Sequence, residues 1–270
     1  KGKKLGIDTF AWLHKAAFTC AYELGMNMKT DKYVTYVMQR IEMMRSHGVE
    51  PVMVFDGCAM PAKKGTNDER GRLRKQHHAR GMAHAQDGNR TAATDCFQAA
   101  IRITPEMTRS LQKKLTLAGV QFIVAPYEAD VPLAYLSIRG HVDAVVTEDS
   151  DLVVYGAKRI FLKMDKAGAG QLFCQSSLGA VESPNISSFT NAQFTHMCIL
   201  AGCDMLPSMS GMGIKKAAQL LRDYKSMDRV FAAIRSRTTA FSMPDEYEET
   251  FWKCVLTFKH GRAYDPDTQE

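Results

Sequence analysis

The chain is poor in the features that would fix a class at once. Its cysteines, Cys20, Cys58, Cys96, Cys174, Cys198, Cys203 and Cys254, are odd in number and never spaced C-x-x-C. That scatter argues against a disulfide framework or a structural zinc and predicts a reducing, intracellular setting. No apolar run approaches the ~20 residues of a membrane span, and the basic start, Lys1 to Lys4, leads into no signal-like apolar stretch. Internal repeats and low-complexity tracts are absent. Charge of one sign is only mildly in excess, 35 Lys and Arg against 29 Asp and Glu, or +6 in 270 residues. The surplus favours an anionic partner without naming it. What is present is 45% hydrophobic and 24% charged residues, enough for one large domain with a substantial core.

Short apolar runs alternate with amphipathic helical stretches, the pattern of an α/β fold with a mostly parallel central sheet flanked by helices. The strand candidates are Leu5 to Ile7, Pro51 to Phe55, Val120 to Ala125 and Ala144 to Thr147. Between the first two, Tyr33, Val37, Ile41 and Met44 mark a helix that ends at Gly48. Another has Thr104 as N-cap, Pro105 in first position and Gly119 as its stop. Two regions break the alternation. Pro61 to Ala100 has no strand signal but is polar, helical and basic, with Lys63, Lys64, Arg70, Arg72, Arg74, Lys75 and Arg80, and reads as an insert. Asn191 to Ala201 is helical, Gly202 to Gly213 turn-rich, and Ile214 to Leu221 helical again. Ala167 to Ser188, rich in Gly and Ser, reads as a surface excursion.

Ligands of an open parallel sheet bind beyond the carboxyl ends of its strands, and here each candidate strand runs into acid. Ile7 is followed by Asp8, Phe55 by Asp56, Ala125 by Glu128 and Asp130, and Thr147 by Asp149 and Asp151, while Asp204 follows the helix ending in Leu200. One such acid is an ordinary turn residue. Together, seven carboxylates would meet at one edge, and like charges so close raise one another's pKa unless cations hold them. Oxygen-only ligands select Mg²⁺ or Mn²⁺, and two such ions roughly 3.5–4 Å apart are the usual device for in-line attack on phosphate. His14, His47, His77 and His78 have no metal-ligand spacing; His47 reads as a helix end. Trp12 and the methionines Met38, Met43 and Met44 read as core.

The segments Ile7-Asp-Thr-Phe-Ala-Trp-Leu-His-Lys15, Val54-Phe-Asp-Gly-Cys-Ala-Met-Pro-Ala-Lys-Lys64, Ala125-Pro-Tyr-Glu-Ala-Asp130, Thr147-Glu-Asp-Ser-Asp151 and Leu200-Ala-Gly-Cys-Asp-Met-Leu206 resemble, in order, the catalytic motifs of the flap-endonuclease/XPG superfamily of structure-specific 5′ nucleases. Trp12-Leu-His-Lys15, Gly57-Cys58 before Pro61, and Leu162-Lys-Met-Asp165 look more like its 5′ exonuclease branch. The resemblance implies one nuclease domain over residues 1–270, with a helical arch at 61–100 and a helix-two-turn-helix at 191–221. It implies Mg²⁺-dependent 5′ to 3′ exonuclease activity on double-stranded DNA with 5′ flap cleavage, by two Mg²⁺ or Mn²⁺ ions on Asp8, Asp56, Glu128, Asp130, Asp149, Asp151 and Asp204.

Lys63 and Arg70 match the arch residues placed over the scissile phosphate, and Phe10 and His14 sit on the turn where the family packs the adjacent nucleotide. Arg74, Ser208, Gly211, Gly213, Lys215 and Lys216 would hold DNA, with Gly211 and Gly213 admitting phosphates to a helix N-terminus. A potassium ion would sit near Ser208 and Met212. The implied substrate is duplex DNA with a 5′ recessed end, nick or 5′ flap, in the nucleus, with mismatch-repair proteins as partners through regions outside this segment. A flap endonuclease proper, or a DNA-binding module that has lost its chemistry, are the alternatives; a missing acid would favour the latter, and none is missing. The family's Met-Gly-Ile-x-Gly-Leu leader does not precede the first strand here, and full activity is expected to need it. Asp68, Gly71 and Leu73 stand where the family suggests basic residues, so a weaker grip at the arch is expected.

Overall fold

The computed structural model describes residues 2–268. The chain opens with β1 (Lys3–Asp8), passes through α1 (Thr9–Phe18), α2 (Ala21–Gly25) and α3 (Lys32–Ser46), and returns in β2 (Val49–Phe55). The paired helices α4 (Lys64–Gln86) and α5 (Arg90–Ala99) come next, followed by α6 (Pro105–Leu117) and β3 (Phe122–Val124). The second half of the sheet is α7 (Asp130–Arg139), β4 (Ala144–Thr147), α8 (Asp151–Val154), β5 (Arg159–Leu162) and β6 (Gln171–Cys174). Helices α9 (Asn191–Ala201), α10 (Ile214–Tyr224), α11 (Met227–Arg235) and α12 (Tyr247–Lys259) complete the described elements. The sheet order is β3-β2-β1-β4-β5-β6, parallel except for β6.

The period-two pattern of the strands explains how both faces are covered. On β2, Met53 and Phe55 join the cluster of Trp12, Leu13, Val37, Ile41 and Leu111 under α1, α3 and α6, while Val52 and Val54 join Leu133, Leu136 and Leu152 under α7 and α8. Val146 and Val145 of β4 divide the same way. Such strands are buried on both faces, so they read as continuous apolar runs. A separate cluster, including Leu200, Leu221, Phe231 and Phe251, holds α9 to α12 together.

Local signals set the boundaries. Thr104 Oγ1 accepts the amide of Met107 at 3.4 Å and Pro105 opens α6, as expected. Thr190 and Gln193 form a capping box on α9. His47 caps α3 and Gly48 follows at φ 72°.

Two expectations need correction. Residues 167–188 are not simply a surface excursion, because they contain β6 and a 3₁₀ turn at Gln175–Ala180. The hairpin from β5 is made by Asp165, whose Oδ1 accepts the amides of Ala167 and Ala169 and whose own N–H donates to Ala169. Gly and Ser here supply a turn, and a four-residue edge strand is too short to show a pattern. The basic stretch 61–100 is also not uniform. Asp87–Gly88–Asn89 breaks it, and α5 buries Ala93 and Phe97 while α4, over 23 residues, buries only Gly81.

Candidate active site at the carboxyl edge of the sheet

The three central strands, β2, β1 and β4, end side by side, and this puts their terminal acids together. Asp8 pairs in register with Val54, and Ile7 with Val146, so Thr147 lies beside Asp8 and donates its hydroxyl to Asp8 Oδ2 at 2.9 Å. Asp8 Oδ1 accepts Ala11 N–H at 3.1 Å, capping α1. Asp56 Oδ1 accepts Ala129 N–H at 2.8 Å, which ties the end of β2 to the Glu128–Asp130 turn. Gly57 makes that approach feasible: its N–H reaches Tyr127 O at 2.6 Å, and a Cβ there would lie 1.9 Å from Ala125 O. Asp149 Oδ1 accepts Asp151 N–H at 2.8 Å and holds the start of α8.

The 3₁₀ turn Pro61–Lys63 and the start of α4 reach back over this edge. Lys63 Nζ lies 2.8 Å from Glu128 Oε2 and 3.5 Å from Asp204 Oδ2, and is buried. Arg70 Nη2 lies 3.0 and 3.1 Å from the two oxygens of Asp204, and Thr66 Oγ1 donates to Asp204 O at 2.6 Å. Arg70, Asp149, Asp151 and Asp204 line one polar cavity of about 590 Å³, and Asp8, Asp56, Glu128, Asp130 and Lys63 lie close enough behind them to act on one another electrostatically.

Electrostatics follow from that crowding. Burial, with repulsion from Asp8 and Glu128 behind it, pushes Asp56 up to about 7, against the Ala129 amide and Lys63. Burial pushes Asp151 up to about 6, reinforced by Asp149. Asp130 is raised well above the carboxylate range by burial and then by Asp8 and Asp149, and Asp8 is raised by burial despite its two hydrogen bonds. The donor set is all oxygen, and Glu128 Oε2 is buried with no aligned hydrogen bond, only the Lys63 ion pair. These residues fit hard divalent cations, which would relieve the repulsion that protonation otherwise relieves.

The flanking residues divide. Phe10 and His14 lie on α1, Phe10 packed against the core and His14 close enough to Arg74 that burial and the guanidinium lower its pKa. Arg74 in turn feels Arg102 and Arg70. Arg102 was not anticipated, since a lone arginine between two helices carries no pattern. Thr66 and Thr147 were also missed, although a hydroxyl one turn before Arg70 and another at the strand end were visible clues.

In the α9–α10 turn, Gly211 has φ 73°, and its carbonyl accepts Lys216 Nζ at 2.8 Å. Gly213 is not conformationally required: it is extended, φ −129°, and caps α10 without a side chain, leaving open space where a Cβ would stand. Ser208 lies against Gly202, Met212 is buried, and Lys215 is exposed. Among the described residues, the His141, Asp265 and Asp267 side chains also come within 4.8 Å of one another, on other elements from the acid edge.

Comparison with known proteins agrees with this architecture. The flap endonuclease fold is found in the catalytic core of Rad2 in complex with DNA substrate (TM-score 0.63, 19% identity, 99% of this chain and 76% of that one). It is found too in flap endonuclease-1 from Methanococcus jannaschii (TM-score 0.62, 18% identity, 98% and 81%). Exonuclease 1 of Arabidopsis thaliana is 42% identical over 270 residues, which is 100% of this chain and 36% of that protein. The chain thus spans about a third of the length of that relative. The XPG N-terminal domain matches residues 1–77, carrying Asp8, Asp56, Lys63 and Arg70, and the XPG I-region matches 119–204, carrying the other five acids, so the chain belongs to the XPG family.

Proposed function

We propose that the chain is a Mg²⁺-dependent 5′ to 3′ exonuclease acting on double-stranded DNA, with 5′ flap endonuclease activity, in nuclear DNA repair. The observation that carries this is the convergence of desolvated carboxylates with two cationic side chains at one sheet edge. The Exonuclease 1 relative supports the activity, and the DNA substrate bound to the core of Rad2 supports the partner.

Asp8, Asp56, Glu128, Asp130, Asp149, Asp151 and Asp204 would hold two Mg²⁺ or Mn²⁺ ions. When bound, the ions supply an activated water and neutralise charge on the phosphate. The hydrogen bonds from Ala11, Ala129, Thr147 and Asp151 fix the carboxylates in advance, so little reorganisation accompanies reaction. Lys63 and Arg70, whose partners are these same acids, would turn to the non-bridging oxygens, where charge grows as the bond breaks. Phe10 and His14 would pack the nucleotide beside the cut, and Arg74 would take a phosphate. The arch of the resemblance would be α4 with α5, the helix-two-turn-helix α9 with α10. Ser208, Gly211, Gly213, Lys215 and Lys216 would grip the duplex away from the cut, and a potassium ion would sit on carbonyls near Ser208 and Met212.

The test is a 5′-recessed duplex and a 5′ flap, each end-labelled, incubated with Mg²⁺ and then with EDTA. Cutting of both, abolished by EDTA, is expected. Cutting of the flap alone would make the chain a flap endonuclease, and binding without cutting would make it a DNA-binding module.

A further inference from the structure

The seven cysteines are free thiols, and two of them meet beside the acid cavity. Cys203 stands in the short turn that leads from α9 to Asp204, where its N–H donates to Leu206 O at 2.9 Å and its carbonyl accepts Leu206 N–H at 3.1 Å. That turn presents Asp204 to Arg70 and Lys63. Cys203 also lines the cavity with Asp149, Asp151 and Asp204, so a small solute in the cavity reaches it. Behind it, Cys254 of α12 is 2% exposed in the cluster that joins α9 to α12, and Cys203 packs against that cluster. The two thiols are in hydrogen-bonding contact. Tyr247 lies about two turns before Cys254 on the same helix and is equally enclosed. Its hydroxyl is buried with no hydrogen-bond partner among the described residues, near enough to both sulfurs to feel their charge.

We propose that Cys203 is a peroxide-modified site and Cys254 its resolving thiol, and that the disulfide between them displaces Asp204. The bond itself is independent of the nuclease reading above, whereas its effect on cleavage rests on that reading. The chemistry is a two-electron oxidation in two steps. The Cys203 sulfur attacks one oxygen of hydrogen peroxide, the O–O bond breaks, and Cys203 becomes a sulfenic acid while the other oxygen leaves as water with the thiol proton. The Cys254 sulfur then attacks the Cys203 sulfur, the S–S bond forms, the S–O bond breaks, and the oxygen leaves as a second water with the Cys254 proton. An accessible thiol with a resolving thiol behind it is the arrangement of reversible sensors, and in a reducing compartment such a disulfide is transient, as a switch requires. The Tyr247 hydroxyl gains a use as well, because an oxygen on Cys203 offers it the acceptor that the reduced site lacks. Closing the bond draws the sulfurs to about 2.05 Å. Cys254 is set in a packed helix, so the turn at Cys203 is the part that moves, and it carries Asp204 away from Arg70 and Lys63.

The experiment treats the reduced chain with hydrogen peroxide, blocks the remaining thiols by alkylation and maps the digest by mass spectrometry. The peptide of Cys203 should be found joined to that of Cys254. Cleavage of a 5′-recessed duplex in Mg²⁺ should fall with the cross-linked fraction, by about 10²-fold when it is complete, the scale for a group misplaced by about 1 Å. Dithiothreitol should restore it. Cys254→Ala should cut at the unmodified rate when reduced, form no cross-link in peroxide, and leave Cys203 as a sulfenic acid that dimedone labels. Tyr247→Phe in that background should weaken the labelling. If Cys254→Ala does not fold, Cys254→Ser serves for the same comparison. Cys203 joined to any other cysteine, or neither cross-linked nor labelled, overturns the pair. A complete cross-link with an unchanged rate overturns its hold on Asp204. The nuclease reading is judged separately, by whether the reduced chain cuts at all.

Discussion

The sheet edge and the α9–α10 turn both carry charge suited to a phosphate backbone, but they hold it in opposite ways. At the edge, Asp130 is buried and Asp8 half-buried, Asp8, Asp56, Asp149, Glu128 and Asp204 are held by backbone amides, a hydroxyl or ion pairs, and neighbours disfavour one another's ionisation. At the turn, Lys215 is exposed and has no ion pair among the described residues. Buried, fixed charge is expensive to assemble and can act on charge that develops during reaction. Exposed charge is cheap, screened by salt, and contributes to holding only.

Removing an acid should break that contrast most sharply. Asp149→Asn keeps an acceptor for the Asp151 amide yet removes a charge, and Asp151→Ala removes one outright. Each is expected to abolish cleavage in Mg²⁺ while duplex binding stays within a few-fold, measured by gel quantitation and fluorescence anisotropy on the same substrate. Cleavage near the unmodified rate would mean that the edge is a structural charge cluster.

Next in size are Lys63 and Arg70. Truncating either should lower kcat by about 10²-fold, with KM little changed, because the lost interaction strengthens only in the transition state. Single-turnover rates at saturating enzyme measure this. Recovery of the full rate simply by raising concentration would place both side chains with the turn, as holding charges.

The edge was the more legible region, and the reason lies in its residues. Val52 to Phe55 and Ala144 to Thr147 are continuous apolar runs that end in acid, so position and chemistry appear together. β5 and β6 were not seen because Arg159 and Gln171 open strands of only four residues, the second on an edge. The break of the basic stretch at Asp87 is a turn signal outweighed by charge on both sides, and the packing face of α5 rests on Ala93 and Phe97 alone, too few to set a period. Within the site, the acids could be read from strand ends, whereas Arg102 depends on a tertiary approach to Arg74. The turn was legible as glycines and lysines, but which glycine needs its freedom was not: Gly211 does and Gly213 does not.

Stability should register the edge through pH. Asp56 at about 7 and Asp151 at about 6 lie above the usual carboxylate value, so between about pH 4 and 7 the folded chain binds more protons than the unfolded one. Stability without divalent cations must then fall as pH rises through that window. Mg²⁺ or Ca²⁺ should restore it, and the rise in Tm on adding the ion should be several degrees larger at pH 8 than at pH 5.5. Asp56→Asn should raise the ion-free Tm at pH 8. A cation effect independent of pH would dissociate ion binding from these acids.

The smallest effect is expected at the turn, and the structure divides it between two neighbouring lysines. Lys216 is already engaged, its Nζ on Gly211 O and over the Phe241 ring, whereas Lys215 faces the polar hollow formed with Ser187, Ser188 and Arg222. Each phosphate contact contributes close to one unit to the slope of log K against log salt. Lys215→Ala should therefore flatten that slope by about one, equally for DNA of different sequence. Lys216→Ala should change it less and act instead by loosening the Gly211 turn, seen as a small loss of Tm that Lys215→Ala does not share. Equal slopes for both variants and the unmodified chain would remove the turn from the interface and leave the duplex to be held by α4 and the sheet edge.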